Sequence, residues 1–110
     1  MIVGLSLDEK IKVLELVGVE CYVARNDDEA SMLVRQLLKK VDVLMIDEDL
    51  YARLSQTIRR ESENLRKPPL VVVLPSFSGP KHVVVNELKE LINKAVGVEL
   101  SIFSARHAVT

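Results

Sequence analysis

The stretch PPLVVVLPSFSGP, residues 68–80, decides the fold. At its centre are five consecutive apolar residues, Leu70 to Leu74, with proline on both sides. An unbroken Val/Leu run of that length reads as a strand buried on both faces, as in a parallel sheet. A residue before proline is pushed away from helical angles, so Pro68 also ends any helix that precedes it. Ser76, Ser78, Gly79 and Pro80 then make a turn-rich loop. In open α/β sheets such a loop lies where ligands bind. Whether this one carries chemistry or only connects depends on the rest of the chain.

Working outward, the same kind of run recurs three times, each followed by an amphipathic segment. Ile2-Val3-Gly4-Leu5 precedes Ser6 and Glu9, a capping-box pair, and Ile11, Leu14 and Val17 at helical spacing, with Gly18 as a left-handed stop. Cys21-Tyr22-Val23-Ala24 precedes Asn26 and Glu29, which can cap a helix whose buried face carries Ala30, Leu33, Val34, Leu37, Leu38 and Val41. Val43-Leu44-Met45-Ile46 leads into Asp47-Glu48-Asp49, negative charge suited to a helix N-terminus, and then Leu50, Leu54, Ile58 and Leu65. After the 68–80 stretch, Asn86 can cap a last helix over 86–96, with Leu88, Leu91, Ile92, Ala95 and Val96 on one side and Gly97 as its stop.

Strict alternation of strands and helices, joined by right-handed crossovers, predicts a small open α/β fold. The expected sheet is four-stranded and parallel, in the order 2-1-3-4. It forms a single domain overall: a sheet unit over 1–75, a connecting loop over 76–85, and a C-terminal helix and tail over 86–110. The 98–103 segment can add a fifth strand or remain a tail.

The chain of 110 residues is 48% apolar and 28% charged, which is globular composition. A net charge of -1 gives no electrostatic case for nucleic acid. The apolar runs are far shorter than the roughly 20 residues that cross a bilayer, so no direct membrane insertion is expected. Asp8, Glu9 and Lys10 interrupt the N-terminus before any signal-peptide core forms, which predicts a cytoplasmic protein. Cys21 is the lone cysteine and reads as a small core hydrophobe.

Chemistry is expected beyond the carboxyl ends of the strands. The Gly4-Leu5-Ser6 corner lacks the glycine fingerprint of dinucleotide sites, and the sequence has no phosphate-cradling G-x-x-x-x-G-K-[ST] loop. His82 and His107 have no metal-ligand spacing with other donors. Ser76 and Ser78 lack a nucleophile elbow, and the Arg25-Asn26-Asp27 corner reads as a cap. Asp47 at the third strand's end matches the phosphoacceptor of a signalling receiver domain. The first corner, however, offers Leu5 and Ser6 where that chemistry needs metal-binding carboxylates. Asp47 therefore reads as a helix-start residue, and no catalytic, cofactor or metal site is expected.

The order, spacing and length of these elements resemble the F subunit of the archaeal-type and vacuolar-type rotary ATPases, from the first residue to about Leu100. The resemblance is carried by LVGVECYVA (16–24), the Asn26 to Ala30 helix start, DVLMIDEDLYARL (42–54), PPLVVVLPSFSGP (68–80) and ELINKAVGVEL (90–100). It departs from the family at Leu5, where members often carry an aspartate, and at Leu14-Glu15, where they carry Gly-Phe.

The resemblance implies a non-catalytic subunit of the central rotor stalk, peripheral on the cytoplasmic side of the membrane, in a complex moving H+ or Na+. It implies the D subunit of that stalk as partner, and admits subunits of the catalytic hexamer as further partners. It also implies docking through the last helix, by Leu88, Leu91, Ile92 and Ala95, with loop 75–85 as a tether that swings this helix onto the D subunit. The competing expectation is that the last helix simply covers its own sheet. A stand-alone receiver-like domain with Asp47 as phosphoacceptor is the alternative function.

Overall fold

The computed structural model describes residues 1–80 and 82–94. Ala95, Val96, Gly97, His107 and the 98–103 segment, like Lys81, lie outside the described residues. The strands are β1 (Ile2–Ser6), β2 (Glu20–Val23), β3 (Val43–Asp47) and β4 (Leu70–Leu74). They form one parallel sheet in the order β2-β1-β3-β4. The connections are a 3-10 segment (Glu9–Val17), helix α1 (Asp27–Leu37) and helix α2 (Glu48–Glu63). A further helix, α3, runs over 82–94.

Because successive side chains of a strand point to opposite faces, the sheet sorts its apolar residues into two cores. One face carries Val3, Leu5, Ala24, Leu44 and Ile46 and packs against Ala30, Val34 and Leu37 of α1 and Leu50, Leu54 and Ile58 of α2. The other carries Cys21, Val23, Met45, Val72 and Leu74 and packs against Ile11 and Leu14 of the 3-10 segment and Val84, Leu88 and Ile92 of α3. The continuous apolar runs of β1 and β3 follow directly, since both alternating sets of side chains meet a covered face. Strand β4 departs from the expected burial on both faces, because it is an edge strand and only Leu74 is buried in it.

The 3-10 segment sits hard against the sheet at Gly4. A Cβ there would meet Ile11 Cδ1 at 3.1 Å and Cys21 Sγ at 3.4 Å. The segment ends at Gly18, whose φ of 86° is left-handed, as the sequence predicts.

Three local expectations are corrected. The segment after β1 is a tighter 3-10 coil rather than an α-helix, and its cap is Asp8 instead of a Ser6/Glu9 box. Asp8 Oδ1 accepts from Lys10 N at 3.0 Å, while Ser6 Oγ accepts from Asp8 N at 3.0 Å. Helix α2 ends at Glu63, and Leu65 packs against the core beyond it. Helix α3 is already helical at residue 82, so Asn86 lies inside it instead of capping it. Pro80 accounts for the early start: its carbonyl accepts from Val83 N and Val84 N, both at 3.1 Å, which closes the first turn. Residues 82–85 of the expected loop thus belong to the helix.

Gly4→Val should lower stability by about 1–3 kcal/mol, because the added methyls overpack a contact already at its limit. Gly4→Ala should cost less, since Ile11 Cδ1 is the free end of a side chain and can yield. Urea unfolding of the two variants beside the parent checks the order.

Candidate functional site

The carboxyl ends of β1, β3 and β4 surround a cleft of about 860 Å³. Ser6, Asp8, Lys10, Asp47, Asp49 and Ser78 are among the residues that line it. This is the position where an open parallel sheet offers a ligand site. The side chains there are largely engaged with one another and with the backbone.

Asp47 is 5% exposed and is the N-cap of α2, its Oδ2 accepting from Leu50 N at 3.0 Å. Its other oxygen, Oδ1, is buried without a protein partner. Asp8 is occupied through both oxygens: Oδ1 caps the 3-10 segment and Oδ2 accepts from Lys10 Nζ at 3.2 Å. Asp49 Oδ2 accepts from Ser76 Oγ at 2.5 Å, and the Ser76 and Ser78 hydroxyls lie 2.7 Å apart. Arg53 Nε donates to Asp27 Oδ2 at 2.8 Å, joining α2 to the start of α1.

These bonds hold the loop after β4 from two sides. Lys10 Nζ donates to Phe77 O at 2.7 Å and Gly79 O at 3.3 Å, from the β1 side. Asp49 holds Ser76 from the α2 side. Between them the Phe77 ring is buried in the same apolar cluster as α3. Sequence reading misses Lys10 as the residue that fixes this loop. Its partners are backbone carbonyls nearly seventy positions away, and a carbonyl leaves no mark in a sequence.

The corner therefore does structural work. Among the described residues no three His, Cys, Asp or Glu side chains are grouped to hold a metal ion. A phosphoacceptor must present a carboxylate oxygen to an incoming phosphoryl group. Asp47 is buried, and the nearest β1-corner carboxylate, Asp8, is already paired with Lys10. His82 is exposed at the start of α3.

The residues expected to bind a partner do not share one environment. Leu88, at 2% exposure, and Ile92, at 9%, face the sheet in the core with Ile11, Leu14 and Leu74. Leu91 is 41% exposed, as is Val83 on the same helix. Ala95 lies outside the described residues. In the free chain α3 thus covers its own sheet, and the expected four-residue docking stripe is split between core and solvent.

Cys21 is half-buried beside the 3-10 segment, where its thiol donates to Ile11 O at 3.3 Å. Burial, and then the nearby Glu15 carboxylate, push its pKa from 9.0 to about 11, with Lys12 opposing. Both main causes disfavour the thiolate, so Cys21 is a packing residue and a poor nucleophile near neutral pH. The folded chain should be alkylated by iodoacetamide at pH 8 about a hundredfold more slowly than the urea-unfolded chain, since two pKa units separate the two thiols. Mass spectrometry over time reads the two rates. Any stability that rests on the neutral thiol is complete below about pH 9 and lost as pH rises through about 11.

Comparison with known proteins agrees with this architecture. The family described as ATP synthase (F/14-kDa) subunit matches residues 3–95. The F subunit of the A-type ATP synthase of Methanothermobacter thermautotrophicus is 27% identical over 82 residues, covering 74% of this chain and 76% of that relative. With a match that runs from β1 through α3, the chain belongs to the ATP synthase (F/14-kDa) subunit family.

Proposed function

We propose that this chain is a non-catalytic subunit of the central rotor stalk of an archaeal- or vacuolar-type ATP synthase, and that it contacts the D subunit of that stalk through α3. The family places the chain in an ATP synthase complex with other subunits. Among the described residues no helix is long and apolar enough to cross a membrane, which is consistent with a peripheral place in that complex. Coupling to H+ or Na+ movement would then reside in other subunits, as would nucleotide chemistry. The absence of a phosphate-cradling loop from the sequence supports that division.

One observation carries the choice of surface. Helix α3 follows the clasped loop and keeps Leu91 and Val83 in solvent while Val84, Leu88 and Ile92 face inward. A helix with apolar residues on two sides has one side for its own sheet and another for a neighbouring helix. Leu91 is therefore the first contact expected with the D subunit. Leu88 and Ile92 reach the partner only if α3 leaves the sheet, as the tether role of the loop after β4 requires. In functional terms we divide the chain into the sheet unit 1–75 and the docking helix with its tail.

The test is a binding titration of the full chain with the D subunit. Leu91→Glu should weaken binding by more than tenfold, given that burying a leucine is worth roughly 1.5–3 kcal/mol. Its thermal melt should be unchanged, because Leu91 is exposed. Leu88→Glu should instead lower the melting temperature, since it places a charge in the core. If Leu91→Glu melts normally and binds at full strength, the outer side of α3 is not the docking surface.

A further inference from the structure

The outer edge of β4 is self-complementary, and the geometry points to a second copy of this chain as its partner, through antiparallel pairing of β4 with β4. The strand is last in the order β2-β1-β3-β4, and among the described residues nothing pairs with its outer side. It carries no charge and reads Leu70-Val71-Val72-Val73-Leu74, the same in both directions about Val72. Leu70 is 64% exposed and Val73 43%. Charges, bulges and short strands are the usual defences of a sheet edge. Here the defence is limited to proline.

The backbone shows which groups are free. Leu70 N donates inward to Asp42 O at 2.9 Å. Alternate residues of a strand direct their N–H and C=O to opposite sides. Leu70, Val72 and Leu74 therefore face β3, and Val71 and Val73 face outward. So do positions 69 and 75, and both are proline, which has no N–H. Among the described residues, the edge donors without a partner are thus those of Val71 and Val73.

A two-fold axis through Val72, normal to the sheet, sets Val71 opposite Val73 of the second copy and Val73 opposite its Val71. In antiparallel pairing these become hydrogen-bonded pairs, each exchanging both bonds, while Val72 meets Val72 in a non-bonded pair. The next outward positions set proline against proline, so the ladder stops with no donor left unpaired. Leu70 of one copy lies opposite Leu74 of the other on the same face, and Val73 lies opposite Val71 on the other face. Such an isologous contact closes on itself and gives a dimer, not a fibre.

The experiment is sedimentation equilibrium of the full chain from about micromolar to millimolar concentration, with amide exchange read by NMR. A monomer–dimer equilibrium in which the Val71 and Val73 amides gain protection with concentration supports the proposal. Val73→Pro removes one outward donor from each copy and leaves the bonds to β3 intact. It should weaken association by roughly tenfold or more with an unchanged melting temperature. Val73→Lys, which keeps the donor but places charge on the contact, serves if the proline variant fails to fold, and should weaken association likewise. A chain that stays monomeric at millimolar concentration overturns the proposal. So does a dimer whose Val71 and Val73 amides exchange freely, or protection of those amides that appears only when the D subunit is added.

Discussion

The whole structure depends on burying both faces of one small parallel sheet. Each strand contributes alternate side chains to two cores, so neither core forms alone. Helices α1 and α2 close one face with a broad apolar contact. On the other face the 3-10 segment and α3 share the work, and the first of these sits directly on the sheet at Gly4. Each fully buried Leu, Val or Ile contributes about 1.5–3 kcal/mol. Uncovering the α3 side would expose Leu74, Phe77, Leu88 and Ile92 together. The docked helix is therefore part of the fold of the free chain.

That requirement explains the corner at the carboxyl ends of the strands. A position that elsewhere holds ligands here holds the loop leading to α3. Lys10 binds two of its carbonyls, Asp49 binds Ser76, and Phe77 is buried beside the helix. Asp47 and Asp8 are spent on helix starts. The loop after β4 is clasped from two sides, and its polar residues and carbonyls are the fastenings. A component of a larger assembly has use for such an arrangement. In the function proposed above, the outer surface of α3 meets a neighbour while its inner surface, through Val84, Leu88 and Ile92, holds the chain together.

Strand number, order and the two-faced pattern are legible in the sequence because they rest on local, repeated signals. Unbroken apolar runs mark the strands of a sheet covered on both faces, and strict alternation with helices leaves few topologies. The run Leu70 to Leu74 gives the strand correctly but overstates its burial, because β4 lies at the sheet edge and buries only Leu74. Caps with their acceptor on the first residue, Asn26 and Asp47, are legible for the same reason. The cap after β1 is not, because Ser6 and Asp8 both suit the role by residue type, and in the structure Ser6 instead accepts from the backbone of Asp8, which is the cap. The start of α3 is misleading because Asn86 is a good cap in isolation, whereas the carbonyl of Pro80 closes an earlier turn. The stripe Leu88, Leu91, Ile92 is visible as apolar spacing, but spacing does not say which residues meet the sheet. That depends on the rotation of the helix, which Phe77 and Leu74 help to set.

The most direct test of a sheet covered on both faces by its own chain is methyl NOE spectroscopy on the free chain, labelled at Ile, Leu and Val. Cross-peaks are predicted to link the Leu88 and Ile92 methyls with those of the cluster they share, Ile11, Leu14 and Leu74, while Leu91 shows none to that cluster. A helical α3 whose Leu88 and Ile92 methyls show no contact with the sheet would contradict this, because the second face of the sheet would then be covered by the 3-10 segment alone.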